Sequence, residues 1–196
     1  MWIKYHVAIQ IRDRIMGGIP KDPEIIKGWL QARGLEELAE QTVEEMGEQL
    51  VTGAWNGFKA DEDGLYIEGR QVKAMFKEAA NVMRHVIGFK GPMRARLAER
   101  LVIKPDRIHL GAKEPSGYLE RPIHVMTRMG PRDALKRTDY VEKPKLLFDV
   151  WLLDDGMITD EHLRQLLEYA GETGLGADRS QDEGKFDLVE FELKVC

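Results

Sequence analysis

Three groups of residues have types and spacings that could do chemistry. The first is the run Gly171-Glu-Thr-Gly-Leu-Gly-Ala-Asp-Arg-Ser-Gln-Asp-Glu-Gly-Lys-Phe186, in which glycines bracket a polar stretch. Glycine tolerates positive φ and lets another backbone approach closely, and long loops between well-formed elements are where function collects; the alternative is a plain flexible connector. The second is a row of cations, Arg70, Lys73, Lys77 and Arg84, spaced three, four and seven apart. On a helix this spacing makes one stripe, either an anion-facing row or lysine stems lying over a core. The third is the set of five histidines, His6, His85, His109, His124 and His162, none paired at helical spacing as a zinc site would require.

Other chemistries are absent. Gly174-Leu-Gly-Ala-Asp-Arg lacks the last glycine of a dinucleotide fingerprint and precedes a strand, and there is no P-loop. Ser116 and Ser180 lack a nucleophile elbow. The acids Asp154-Asp155 and Asp61-Glu62-Asp63 sit where turns and helix caps favour carboxylates. With Cys196 the only cysteine, no disulfide or cysteine-based metal site forms within the chain, and no cofactor or metal is implied.

The elements that must position these groups follow from periodicity. Ile3, Tyr5, Val7, Ile9 and Ile11 alternate with polar residues, a strand over 2–12 with His6 on its polar face. Residues 14–23 read as a loop, and Asp22-Pro23-Glu24 starts a helix that Gly34 ends. A second helix over 35–50 carries Leu38, Val43, Met46 and Leu50 on one stripe, and 51–63 reads as loop anchored by Trp55 and Phe58. A short strand, 65–69, leads to a helix over 70–87 with Val72, Met75, Phe76, Ala79, Met83 and Val86 on its buried face. A short arginine-rich helix over 92–100 precedes two strands joined by Pro105-Asp106. Residues 111–122 read as loop, 123–129 and 135–141 as strands around a Gly130-Pro131 turn, and 145–153 as a central strand apolar on both sides. Thr159 caps a helix burying Leu163, Leu166, Leu167 and Ala170; the glycine loop follows, then a strand over 185–195 with a bulge near Leu188.

Size and charge set the outer limits. The 196 residues, 43% apolar and 32% charged, suit one domain, or one domain with a large insertion. No apolar run approaches the ~20 residues that cross a bilayer, and the chain opens on a strand rather than a signal peptide, so a cytoplasmic setting and no membrane partner are expected. The net charge of −5 is uneven: 36–63 holds nine acids against Lys59, whereas 84–107 holds seven Lys and Arg against Glu99 and Asp106. That gives either one acidic and one basic face or merely two solvated ones.

The order strand, helix, two strands, helix, strand is β-α-β-β-α-β. We therefore expect an α+β protein with a ferredoxin-like (RRM-like) antiparallel sheet, an α-helical insertion at 13–64 and a second elaboration at 88–122.

Two stretches also resemble a known family. Gly174 to Phe186 is similar to the C-terminal glycine-rich loop of the RAMP superfamily, the RNA-binding subunits of CRISPR-Cas effector complexes. Leu65-Tyr-Ile-Glu-Gly-Arg-Gln-Val-Lys-Ala-Met-Phe-Lys resembles a second signature of the backbone-type members, an extended segment, a glycine and a lysine-bearing helix. Glu68-Gly69 stands where Pro-Gly is usual, and Asp178, Asp182 and Glu183 place three acids in the loop. The resemblance implies a non-catalytic protein, consistent with a stand-alone phage or mobile-element relative, that binds single-stranded RNA or DNA. Its contacts would be Lys73, Lys77, Arg84, Gly174, Gly176, Arg179, Ser180, Gly184 and Lys185, with self-association or effector-complex subunits as further partners. Two other readings remain: a protein-interaction module without nucleic-acid binding, and a metal-independent ribonuclease using His6 or His109 as base.

Overall fold

A computed structural model of the chain describes residues 1–21, 27, 31, 34, 53–127 and 130–194. The helices expected over 24–34 and 35–50 lie outside the described residues, apart from isolated positions. In chain order the strands and helices are β1 (Trp2–Ile11), β2 (Arg14–Met16), β3 (Ile19–Pro20), β4 (Gly53–Gly57), β5 (Lys59–Asp61), β6 (Gly64–Glu68), α1 (Gly69–Val86) and α2 (Met93–Arg100). There follow β7 (Leu101–Lys104), β8 (Arg107–His109), β9 (Gly117–Thr127), β10 (Gly130–Glu142), β11 (Lys145–Leu153), α3 (Asp160–Thr173) and β12 (Phe186–Leu193). The fold is α+β. No described helix is long and apolar enough to cross a membrane.

The chain divides into two compact units: residues 1–16, 59–114 and 141–196 form the first, residues 17–58 and 115–140 the second. In the first, β1 pairs antiparallel with β11 on one side and β12 on the other, and β7 closes the far edge in the order β12-β1-β11-β7. Tyr5, Val7, Ile9 and Ile11 of β1 are buried, as alternation predicts. They meet α1, which buries Val72, Met75, Phe76, Ala79 and Ala80, and α3, which buries Leu163, Leu166, Leu167 and Ala170. α1 packs on α2, α3 and β7, and α3 packs on β12. A smaller sheet, β5-β6-β8, leads into α1.

In the second unit, β4 runs parallel to β10 with Arg137 opposite Trp55, and β9 and β10 form a long antiparallel hairpin. β3 pairs with the other side of β4.

Several expectations need correction. The segments read as loop over 14–23 and 51–63 contain strands, β2 and β3 in the first and β4 and β5 in the second. The cause is visible at Gly17, where a Cβ would collide with the backbone of Gly57, so these glycines permit strands to approach rather than marking a turn. β9 begins at Gly117, inside the segment read as loop, and Gly130-Pro131 open β10 opposite Thr127 and Met126 instead of forming the turn. β11 is central but buried on one face only, since helices cover one side of the sheet: Leu147 is 50% exposed while Leu146 and Phe148 are buried. Burial along α1 stops at Ala80, leaving Val86 at the end of the helix 73% exposed. Val189 and Leu193 on the edge strand are likewise exposed. The bulge near Leu188 is present: pairing shifts from Ala8↔Glu190 to Ile9↔Leu188, which strands Val189 between them.

Candidate functional site

The glycine-rich loop is held from both ends. Thr159 Oγ1 accepts the His162 backbone N–H at 3.3 Å while His162 Nδ1 accepts the Thr159 N–H at 3.2 Å, a reciprocal cap that fixes the start of α3. The helix ends at Gly174, which takes φ +83°, and a single 3₁₀ turn, Arg179–Gln181, lies between Asp178 and Asp182, both left-handed. Backbone bonds stitch the loop to itself and to β2: Leu175 N–H donates to Gly184 O at 2.9 Å, Ala177 N–H to Met16 O at 3.0 Å, and Gly184 N–H to Arg14 O at 3.1 Å. Those amides are therefore engaged within the fold and not turned toward an outside anion. Gly174 and Gly184 are needed for this closure, since a Cβ on either would run into the carbonyl oxygen of Glu183 or Leu175 respectively.

The three loop acids have separate roles. Glu183 is buried, and both its oxygens are gripped by Arg14, Nε at 2.8 Å and Nη2 at 3.0 Å. Asp182 accepts from Lys185 Nζ at 2.8 Å, and that bond lowers its pKa. Asp178 caps the 3₁₀ turn in the left-handed conformation that Asp tolerates better than most residues. Beside the loop, Arg12 ties Glu172 at 2.6 Å to Asp187 at 2.9 Å, and these two bonds raise its pKa.

A groove joins the loop to α1. Gln71, Ala74, Met75 and Glu78 of the helix face Leu175, Gly176 and Arg179 across a cavity of about 140 Å³. Arg179 reaches over it to Glu78 at 2.5 Å. Loop and helix thus share one concavity, but its charges are paired. Lys73, Lys77 and Arg84 do not line it: at 3.6 residues per turn their stripe lies roughly 110° around α1 from Gln71, Ala74 and Glu78. Among the described residues Lys73 and Lys77 have no carboxylate partner. Partial burial lowers the pKa of Lys73, and the neighbouring Lys77 charge adds to the shift. Arg84 donates from Nε to His85 at 2.9 Å. Of the nine expected contacts, Gly176 and Arg179 line the groove, Gly174 and Gly184 shape the loop, and Lys185 is paired within it. Ser180 is exposed beside them, and Lys73, Lys77 and Arg84 form a separate cationic surface.

The two histidines weighed as bases are held elsewhere. His6 bonds Asp149 at 3.0 Å on the sheet face away from the helices, where Lys194 also reaches Asp149 at 2.7 Å. His109 Nε2 sits 2.9 Å from Asp61 on the small sheet. Asp61, Asp63 and His109 bring ligand atoms within 4.8 Å of one another, but Arg107 already holds the second Asp61 oxygen at 2.9 Å, which opposes a cation there. The His109 bond is the main cause of the lowered Asp61 pKa. Neither histidine belongs to the loop groove.

No protein-family model matches the sequence, and no curated protein does. Among solved structures the chain is similar to one in the cryo-EM structure of the Type III-B Cmr-beta bound to cognate target RNA, at 14% identity and a TM-score of 0.54. The likeness covers 98% of this chain and 60% of that one, so the chain spans less than two thirds of its neighbour's length. At this identity the likeness is one of fold.

Proposed function

We infer that the first unit is a ferredoxin-like β-α-β-β-α-β domain of the RAMP type. The strand order β12-β1-β11-β7, with a helix after β1 and another before β12, supports this class. Within the class, we read the protein as a non-catalytic binder of single-stranded RNA. The observation that carries this reading is the fold it shares, along nearly its whole length, with a chain of an RNA-bound assembly. Lys73 and Lys77, which have no carboxylate partner among the described residues, provide the phosphate-facing row, and the loop acts as a wall beside α1, its own cations Arg179 and Lys185 being paired. Two of the three loop acids are paired within the chain, Glu183 with Arg14 in a buried clasp and Asp182 with Lys185 at the surface.

A binding titration of the full chain against a labelled single-stranded RNA at two salt concentrations tests this. Each phosphate neutralised contributes about −0.7 to the log–log salt slope for a single strand, so Lys73→Gln/Lys77→Gln should flatten the slope by roughly 1.4 and weaken binding. A protein that binds no single strand at low salt refutes the reading.

A further inference from the structure

The second unit carries a surface that the glycine loop and the lysine row leave unused. On one face of its sheet, Arg137 of β10 lies opposite Trp55 of β4, with Tyr118 beside it on β9. The Arg137 guanidinium carbon is 4.8 Å from the Trp55 ring centroid and 4.1 Å from that of Tyr118, so the cation bridges two aromatic rings. The array is anchored from below: Trp55 Nε1 donates to the buried Asp139 at 2.9 Å, and Arg137 Nε lies 3.4 Å from the other oxygen of the same carboxylate. One carboxylate thus holds the Trp55 ring and the Arg137 guanidinium before any ligand arrives. Tyr118 is 51% exposed, and Leu135 on the same face is 53% exposed.

We propose that this Trp55–Arg137–Tyr118 array is a base-stacking platform for a single-stranded nucleic acid. The proposal rests on the RNA-binding reading above and gives it a second contact surface. A ring or a guanidinium plane stacks on any base, since every base has a π face, and a platform already rigid loses little freedom on binding. The charge distribution also gives the strand a side. The stem of Lys21 lies beside Gly57 on this face, whereas Glu120, opposite Arg137 on β9, is exposed on the other flank. Bases over Tyr118 and Trp55 would leave the phosphates toward Lys21 and away from Glu120. A flat face with a cation at its centre fits a base better than a proline-rich peptide, which needs an aromatic-lined groove.

The test uses the full chain and a fluorescein-labelled RNA of about 15 nucleotides of mixed sequence, within the span that single-strand binders cover. Anisotropy is measured at about 50 and 200 mM salt. Tyr118→Leu, which keeps an apolar side chain at an exposed position, should weaken binding at least about fivefold at both salts with no change in slope, and Tyr118→Phe should bind like wild type. Arg137→Ala should likewise weaken binding at both salts with little change in slope, because Asp139 holds its charge and the phosphates lie toward Lys21. Wild-type affinity in Tyr118→Leu, with affinity lost in Lys73→Gln/Lys77→Gln, would overturn the platform and leave the RNA-binding reading standing; that result would favour a protein partner on this face. Absence of any RNA binding by wild type would overturn both.

Discussion

A buried carboxylate gripped by one guanidinium is the residue on which the glycine loop depends. Glu183 is 5% exposed, and Arg14 meets both its oxygens from β2. Removing one partner of such a pair leaves a charge without compensation in a poorly solvated place, which typically costs about 3–5 kcal/mol. Arg14 keeps some contact with solvent and has Asp13 at 3.8 Å, so Glu183→Ala should cost up to about 3 kcal/mol in urea unfolding. Asp182→Asn, which keeps a side chain suited to the left-handed position and breaks only a surface pair, should lose far less. Equal losses in the two variants would mean that the Glu183 clasp contributes nothing special. The same contrast separates charge from surroundings: the sequence shows three acids in the loop but not the guanidinium, 169 positions away, that pairs with one of them.

At the scale of elements, α1 is the piece on which sheet and groove both rely. Phe76 is fully buried against the sheet, while Gln71, Ala74 and Glu78 form one wall of the groove. Phe76→Ala should cost about 3–5 kcal/mol, the usual loss for an aromatic deleted from a packed core. Ala74→Ser, on the groove side, should cost well under 1 kcal/mol; a comparable loss there would mean that the groove wall is core. α1 and α3 were readable in advance because their apolar spacing and the Thr159 cap are local signals. The bulge near Leu188 was readable for the same reason, as a break in phase along β12. What local patterns could not give was partnership across the chain. β4 is poor in strand formers and rich in glycine, yet it forms because β10 and β3 pair with it on either side. Register also decides the site: Trp55, Tyr118 and Arg137 carry no motif, and only the alignment of β4, β9 and β10 sets them together. Lys73 and Lys77 were legible as a stripe, but their angular distance from the loop depends on which side of α1 the loop packs.

At the scale of the whole molecule, charge should govern how the fold answers acid. Asp61, Glu68, Asp149, Asp155, Glu172 and Asp182 all have lowered pKa values, and all lie in the first unit. Bonds to Arg70 and Lys59 lower Glu68, and Arg12 lowers Glu172. At Asp149 and Asp155 partial burial pulls the other way and is outweighed by donors, chiefly Lys194 for the first and the Met157 and Ile158 amides for the second. A carboxyl whose folded pKa is depressed stabilises the fold above its unfolded value, and that contribution is lost as pH falls through the folded value. Starting from ordinary values of 3.8 for Asp and 4.5 for Glu, stability should hold near neutrality and decline as pH drops from about 5 toward 3. Protonating carboxylates while 29 Lys and Arg stay charged also turns the net charge strongly positive, so self-repulsion steepens the same limb. Urea unfolding of wild type and Glu68→Gln across this range separates the two effects. The variant should be less stable than wild type at pH 7, and the gap should narrow as pH falls below 4.5 and close once Glu68 of the folded wild type is itself protonated. A gap that stays constant with pH would mean that the Glu68 pairs with Arg70 and Lys59 are unconnected to the acid limb, leaving net charge alone to drive it.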